Sequence, residues 1–254
     1  MLYSLKLALI ALVTLPLTFV VLLLGPLDRK GKLIHRISLF WTSVILKIGG
    51  IRLRIEGANR LNPGRHYIFV ANHQSNIDIP VLIQSLARFQ LRWTAKKELF
   101  FIPVFGWTLW ITGQIVVDRS DRARAMASLK RAQERIAQGT SVVIFPEGTR
   151  GPEGQLLPFK RGGFLLAIRT RTPIVPIIIN GSGAVLPRGD WRIRSGEIEV
   201  IVGDPVPIEK YHAGTSEELL GHIRRTMESH LRSHADPSGN SSGEPVETGA
   251  SAQE

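Results

Sequence analysis

Tyr67-Ile68-Phe69-Val70-Ala71-Asn72-His73-Gln74-Ser75-Asn76-Ile77-Asp78-Ile79-Pro80 is the stretch whose reading decides the fold. Tyr67 to Ala71 is an aromatic and β-branched run of the length of a buried strand, and it stops abruptly on Asn72-His73. Asn76 to Leu86 reads as a helix with Asp78 and Pro80 in its first turn. His73 therefore stands at a strand-to-helix junction, where it can face a cleft with helix-start N–H groups beside it as an anion site. From the turn before the helix, the imidazole can converge with Asp78. A carboxylate on one ring nitrogen fixes the tautomer and leaves the other nitrogen to take a proton. The competing reading is a satisfied buried histidine beside an ordinary first-turn aspartate.

The same alternation runs outward from this stretch. Strands are expected over 51–56, 91–95, 114–118, 141–145, 174–179 and 198–202. Between them lie an apolar helix or loop over 102–111, a helix over 120–138 bracketed by Ser120 and Gly139, and a helix over 162–170. A final helix opens on a capping box, Thr215 to Glu218, with Leu220, Ile223, Met227 and Leu231 as its stripe. Strands separated by helices of this length need crossover connections. The fold class is therefore α/β, with helices packed on a mainly parallel or mixed sheet. The globular body spans 51–234, and the Ser-, Gly- and Pro-rich segment 235–254 has almost nothing to bury and reads as a disordered tail.

Residues 1–50 are different in kind. From Leu7 through Leu27 there is no charge, and as a helix at about 1.5 Å per residue this segment is long enough for a bilayer core. Gly25-Pro26-Leu27-Asp28 is a poor cleavage site, so the segment reads as an anchor rather than a signal peptide. Arg29, Lys30, Lys32 and Arg36 follow it against Lys6 before it, which puts the body on the cytoplasmic side of the inner membrane. Leu33, Ile37, Phe40, Val44 and Ile48 then recur at helical spacing opposite His35, Arg36, Thr42, Ser43 and Lys47. This is an amphipathic helix, lying in the interface or packed on the body. Pro16, Gly25 and Pro26 permit a re-entrant hairpin as well as a full span.

Composition narrows the chemistry. The 254 residues carry a net charge of +11, which points to an anionic partner such as a membrane surface or a phosphorylated substrate. With three tyrosines and no RNA-binding aromatic motif, nucleic acid is not expected. The absence of cysteine excludes a thiolate nucleophile and Cys-ligated zinc. His230-x3-His234 has no carboxylate partner and there is no His-Glu-x-x-His, so no metal is expected. A serine hydrolase is disfavoured because Asn180-Gly181-Ser182-Gly183 lacks the glycine two before serine that a nucleophile elbow needs.

Four turns carry the cations: Ala95-Lys96-Lys97-Glu98-Leu99, Gly113 to Asp118-Arg119, Phe145-Pro146-Glu147-Gly148-Thr149-Arg150, and Pro158-Phe159-Lys160-Arg161-Gly162. In open α/β sheets the ligand crevice lies beyond the carboxyl ends of strands, where such turns can line one cleft with His73. Arg119 and Arg150 can fork onto a phosphate, and Lys96 adds a point charge.

Asn72-His73-x4-Asp78, Gly113-x4-Asp118-Arg119, Phe145-Pro146-Glu147-Gly148-Thr149-Arg150 and Ile174-Val175-Pro176-Ile177, in this order, resemble the four motif blocks of the 1-acyl-sn-glycerol-3-phosphate acyltransferase family. The likeness covers about Tyr67 to Asn180, with Gly151 where the family often has serine. It implies that His73 is the general base and Asp78 its orienter. It also implies that Lys96, Arg119 and the Glu147-Gly148-Thr149-Arg150 turn bind the glycerol phosphate, and that Pro176 shapes the acyl pocket. Between Lys96 and Lys97, Lys96 is preferred. No cofactor is implied, since acyl-CoA or acyl-ACP enters as co-substrate. The implied partners are lysophosphatidate, an acyl thioester, membrane lipids and acyl carrier protein as one form of the donor. Another lysophospholipid or a lyso-aminolipid is the alternative acceptor. The implied reaction is direct attack of the acceptor hydroxyl on the thioester, with helix-start N–H groups stabilising the oxyanion and no acyl-enzyme.

Overall fold

The computed structural model describes residues 2–28, 30–117 and 122–232. Asp118, Arg119, the Ser120 cap, Arg29 and the tail 235–254 lie outside the described residues. Seven strands, β1 (Ile51–Glu56), β2 (Ile68–Ala71), β3 (Leu91–Lys96), β4 (Ile115–Val117), β5 (Ser141–Ile144), β6 (Ile174–Asn180) and β7 (Gly196–Val202), form one sheet in the order β1-β7-β6-β2-β5-β3-β4. Every neighbouring pair is parallel except β6 with β7. The sheet is mixed and mainly parallel.

Helices cover both faces. One face receives α2 (Lys32–Gly49) and α3 (Asp78–Ser85), whose Ile45, Leu46, Val81 and Leu82 pack on Phe69, Ala71, Val143 and Val175. The other receives α5 (Arg122–Ala137), α6 (Gly162–Thr170) and α8 (Ser216–Glu228), whose Ile136, Phe164, Leu219 and Met227 pack on Ile68, Val70, Val142 and Ile178. Alternate residues of β2 thus enter opposite cores. A strand buried on both faces needs apolar residues throughout, which is why Tyr67 to Ala71 shows no polar alternation. Each fully buried Ile or Phe contributes about 1.5–3 kcal/mol of transfer free energy. Three further helices, the long α1 (Leu2–Leu24) and the short α4 (Phe105–Ile111) and α7 (Ser182–Val185), complete the set α1 to α8 among the described residues.

Three local expectations change. Thr215 holds the N-cap position of α8, but its side chain makes no bond to that helix: its hydroxyl accepts from His212 N and donates to His212 O, in a capping box that belongs to the 3₁₀ turn Ala213–Thr215. The buried stripe of α8 runs through Leu219, Ile223 and Met227 rather than Leu220, and Leu231 lies beyond its end. Of the 102–111 segment only Phe105–Ile111 is helical (α4), and a 3₁₀ turn, Lys97–Phe101, precedes the segment.

α2 also departs from a simple two-sided helix. Leu33 and Phe40 remain exposed, yet Ile34, Ile45 and Leu46 turn inward. Thr42, placed on the polar side by spacing, is buried, donating to Ser38 O and accepting from Gln84 Nε2. Packing therefore runs across residue 50.

α1 lies lengthwise against the body. Near its start, Lys6 is buried and donates to Gly49 O at 2.8 Å and Ile193 O at 3.0 Å, capping the end of α2. In its middle, Thr14 accepts from Trp41 Nε1 at 2.9 Å. Just past its end, Gly25 packs against Ile111 with no room for a Cβ. Both ends of the helix are thus held by the same domain.

Candidate active site

The parallel strands β2, β5 and β3 deliver their carboxyl ends to one side of the sheet, and the turns that follow them carry the polar site. His73 follows β2 and Asp78 begins α3. His73 Nδ1 lies 2.8 Å from Asp78 Oδ2. The same oxygen accepts from Gln74 N at 2.8 Å and Ser75 N at 2.9 Å, and the aspartate is fully buried. Three donors on one oxygen hold the carboxylate as an acceptor and fix the imidazole against it. With Nδ1–H donating to Asp78, Nε2 is the proton acceptor. Phe145 stacks on the imidazole at 4.0 Å and 14°, and Trp93 stacks on Phe145, so one ring face is shielded.

Four of the N–H groups around the helix start have partners within the loop: Gln74 and Ser75 serve Asp78, Ile77 N donates to Ser75 Oγ, and Asp78 N donates to Ser75 O. These four organise the loop around the Asp78 carboxylate.

Glu147 is likewise turned inward. It is 3% exposed, with Oε1 accepting from His73 N and Oε2 from Leu157 N, each at 2.9 Å. Burial pushes its carboxyl above the ordinary value, an effect opposed by these two backbone hydrogen bonds. It is not among the residues that line the cleft beside His73; it fastens the His73 loop to the turn after β5. Gly151 N completes that junction by donating to His73 O at 2.8 Å. A side chain at Gly151 would press on Glu147 Oε2 and Leu157, which accounts for glycine there.

Gly148, Thr149 and Arg150 line a cleft of about 1240 Å³ together with His73, Lys96, Lys97, Lys160 and Arg188. Its other walls are apolar, built from Leu17 and Val21 of α1, Ile37 of α2 and Phe105 and Leu109 of α4. A cationic end holding an imidazole thus continues into a greasy channel beside α1. That arrangement suits an anionic headgroup with an acyl chain. Arg119 lies outside the described residues.

Pro176 is elsewhere. It sits in β6, paired with Val70, and is not part of the cleft wall. Its missing N–H falls opposite a gap in the β6–β7 ladder, between the Ile177–Val202 pair and the isolated Ile174–Val206 bridge. Its ring and carbonyl crowd Gly203, where a Cβ would come within 2.7 Å. The motif proline is built into the sheet.

Two site contributors are given no role in the sequence reading. Asn72 is fully buried and clamps β2 to β6, donating Nδ2–H to Ile179 O at 2.9 Å and accepting from Ile179 N at 2.8 Å. Arg188, in the loop after α7, reaches the cleft and donates to Arg150 O at 3.1 Å. The phrase Asn72-His73 could have suggested the first, since a strand ending on a buried amide needs a partner strand.

The family described as Acyltransferase matches residues 52–180. The chain is 35% identical over 179 residues to 1-acyl-sn-glycerol-3-phosphate acyltransferase alpha of Ovis aries, covering 70% of this chain and 62% of that protein. It is 36% identical over 182 residues to the chloroplastic enzyme BAT2 of Brassica napus, covering 70% and 52%. To the 1-acyl-sn-glycerol-3-phosphate acyltransferase of Limnanthes douglasii it is 31% identical over 197 residues, covering 77% and 69%. The alignments with the Ovis and Brassica relatives thus take in less than two thirds of those proteins' length. Among solved structures, the 1-acyl-sn-glycerophosphate acyltransferase PlsC of Thermotoga maritima superimposes with a TM-score of 0.74 at 26% identity, covering 91% of this chain and 96% of that one. The matched region contains β2, β5 and β6 with the turns that build the cleft, and on this ground the chain belongs to the acyltransferase family.

Proposed function

We propose that this chain transfers a fatty acyl group from an acyl thioester, acyl-CoA or acyl-ACP, to the sn-2 hydroxyl of 1-acyl-glycerol-3-phosphate, forming phosphatidate. The observation that carries the reading is the His73–Asp78 couple opening on a cleft that is cationic at one end and apolar at the other. His73 Nε2 takes the proton of the acceptor hydroxyl as its oxygen attacks the thioester carbonyl. The C–O bond forms, the C–S bond breaks, and the proton passes to the departing thiolate. Because the thioester is already activated, no acyl-enzyme is needed. General-base catalysis supplies roughly 10²–10⁴ in rate, about 3–5 kcal/mol, and the stacked, triply bonded couple contributes by being pre-positioned.

The acceptor comes from a lipid surface, and we place α1 in that surface. Among the described residues the exposed large apolar side chains lie on α1, at Leu27 just past it, on α2, on the Leu99–Trp110 segment and at Trp191, with Ile55 the exception. α1 meets the length and hydropathy of a membrane span. Its tethers at Lys6, Thr14 and Gly25 favour a helix lying along the interface over one crossing it, with the cleft mouth beside it. We place the body on the cytoplasmic face of the membrane, a reading that the cations following α1 support.

The test is direct. Purified protein given lysophosphatidate and a long-chain acyl-CoA should release thiol and make phosphatidate in equal amounts. A folded His73→Ala variant retaining that rate would sink the assigned chemistry.

A further inference from the structure

Arg188 occupies a place that no motif block covers, and the surrounding bonds hold it there. Pro187-Arg188-Gly189-Asp190 is a tight turn, closed by Asp190 N donating to Pro187 O at 3.1 Å. Gly189 has φ +84°, the left-handed value a type II turn needs at its third residue, so Arg188 stands at the corner. Behind the turn, Arg194 N donates to Val185 O at 2.9 Å and shuts the base of the loop.

Two bonds tie this loop to the catalytic turns. Ser75 is fully buried, and its hydroxyl donates to Leu186 O at 2.7 Å. Arg188 Nη1 donates to Arg150 O at 3.1 Å, and the next N–H along, that of Gly151, donates to His73 O. One hydrogen-bonded path therefore runs from the histidine through Arg150 to Arg188. A guanidinium carries five N–H donors, and the bond to Arg150 uses one.

The charge of Arg188 is also retained. Asp190, two residues on, is committed to Arg192 and Arg194, with bonds of 2.9 Å and 3.0 Å. Among the described residues Arg188 makes no ion pair.

We propose that Arg188 is a specificity-determining residue that joins Arg150 and Lys96 on the acceptor's phosphate and makes the cleft prefer a phosphomonoester to a phosphodiester. This rests on the reading of the cleft as the acceptor site. A phosphomonoester carries about −1.5 to −2 charges near neutral pH, and a diester only one. A further forked cation therefore favours the monoester.

The experiment compares wild type, Arg188→Ala and Arg188→Lys with two acceptors, lysophosphatidate and lysophosphatidylglycerol, at one saturating acyl-CoA concentration. Arg188→Ala should lower kcat/KM for lysophosphatidate on the order of 10- to 100-fold, as loss of a charged hydrogen bond implies, mostly through KM. The loss for lysophosphatidylglycerol should be at least about fivefold smaller, and lysine should restore part of the preference. An equal loss on both acceptors, or none on either, overturns the proposal. A parallel calorimetric titration with glycerol 3-phosphate keeps the two readings apart. If wild type transfers to neither acceptor, the acyl-transfer reading fails, and Arg188 still stands or falls on whether its alanine variant binds glycerol 3-phosphate more weakly.

Discussion

Replacing Glu147 with glutamine separates two roles that the sequence alone confuses. In the native turn each carboxylate oxygen accepts one backbone N–H, from His73 and Leu157, at 2.9 Å. An amide keeps one acceptor and sets an NH₂ group against the other N–H. That loses one hydrogen bond to a charged group and leaves a buried donor unmet, about 1–3 kcal/mol after relief of the carboxylate's burial is allowed for. The His73 backbone should move, and a displacement of about 1 Å at a catalytic group can cost 10²-fold. Glu147→Gln is therefore expected to lower kcat on the order of 10- to 100-fold with little change in KM for lysophosphatidate, and to lower stability in urea titrations by about 1–3 kcal/mol. A large rise in KM with kcat and stability intact would refute the reasoning and return Glu147 to the acceptor. The pH dependence supplies a second check. Because the folded carboxyl is raised above its ordinary 4.5, its contribution to stability is present below that value and is lost as pH rises through the folded value. The glutamine variant should lack this component between those limits.

Other outcomes are narrower. His73→Ala should cut the acyl-transfer rate by roughly 10²–10⁴ with the fold retained, read by thiol release and circular dichroism. Asn72→Ala removes both hydrogen bonds to Ile179 and should cost about 2–4 kcal/mol in urea titrations, because it leaves a strand N–H and C=O buried without partners. Leu12→Glu with Leu15→Glu should weaken flotation with anionic vesicles, since each leucine forfeits about 1.5–3 kcal/mol of apolar transfer, while the soluble fraction keeps its melting behaviour.

Much of the fold was legible because strands buried on both faces cannot alternate. Tyr67 to Ala71, Ser141 to Ile144 and Ile174 to Ile179 announce themselves as continuous apolar runs, and the helices between them dictate parallel crossovers. The convergence of His73 with Asp78 was legible too, because a turn of fixed length joins them. Helix starts were less so. Thr215 and Glu218 have the capping-box pattern, but His212 lies close enough to claim Thr215 first, a local competition that spacing does not rank.

What the chain order determined by itself is the class of fold, the pairing of His73 with Asp78, and an apolar N-terminus beside a basic body. Tertiary structure decided which way the remaining side chains face. Glu147 turns inward because adjacent β2 and β5 bring its carboxylate to the His73 N–H, Pro176 is consumed by the sheet, and α1 is laid along the domain by bonds to residues as distant as Ile193. Arg188 enters the cleft only because its loop folds back on Ser75 and Arg150. Local spacing sets which groups can meet within a turn or two. Between residues a hundred positions apart, the partner is chosen by strand order and helix packing, which no short motif encodes.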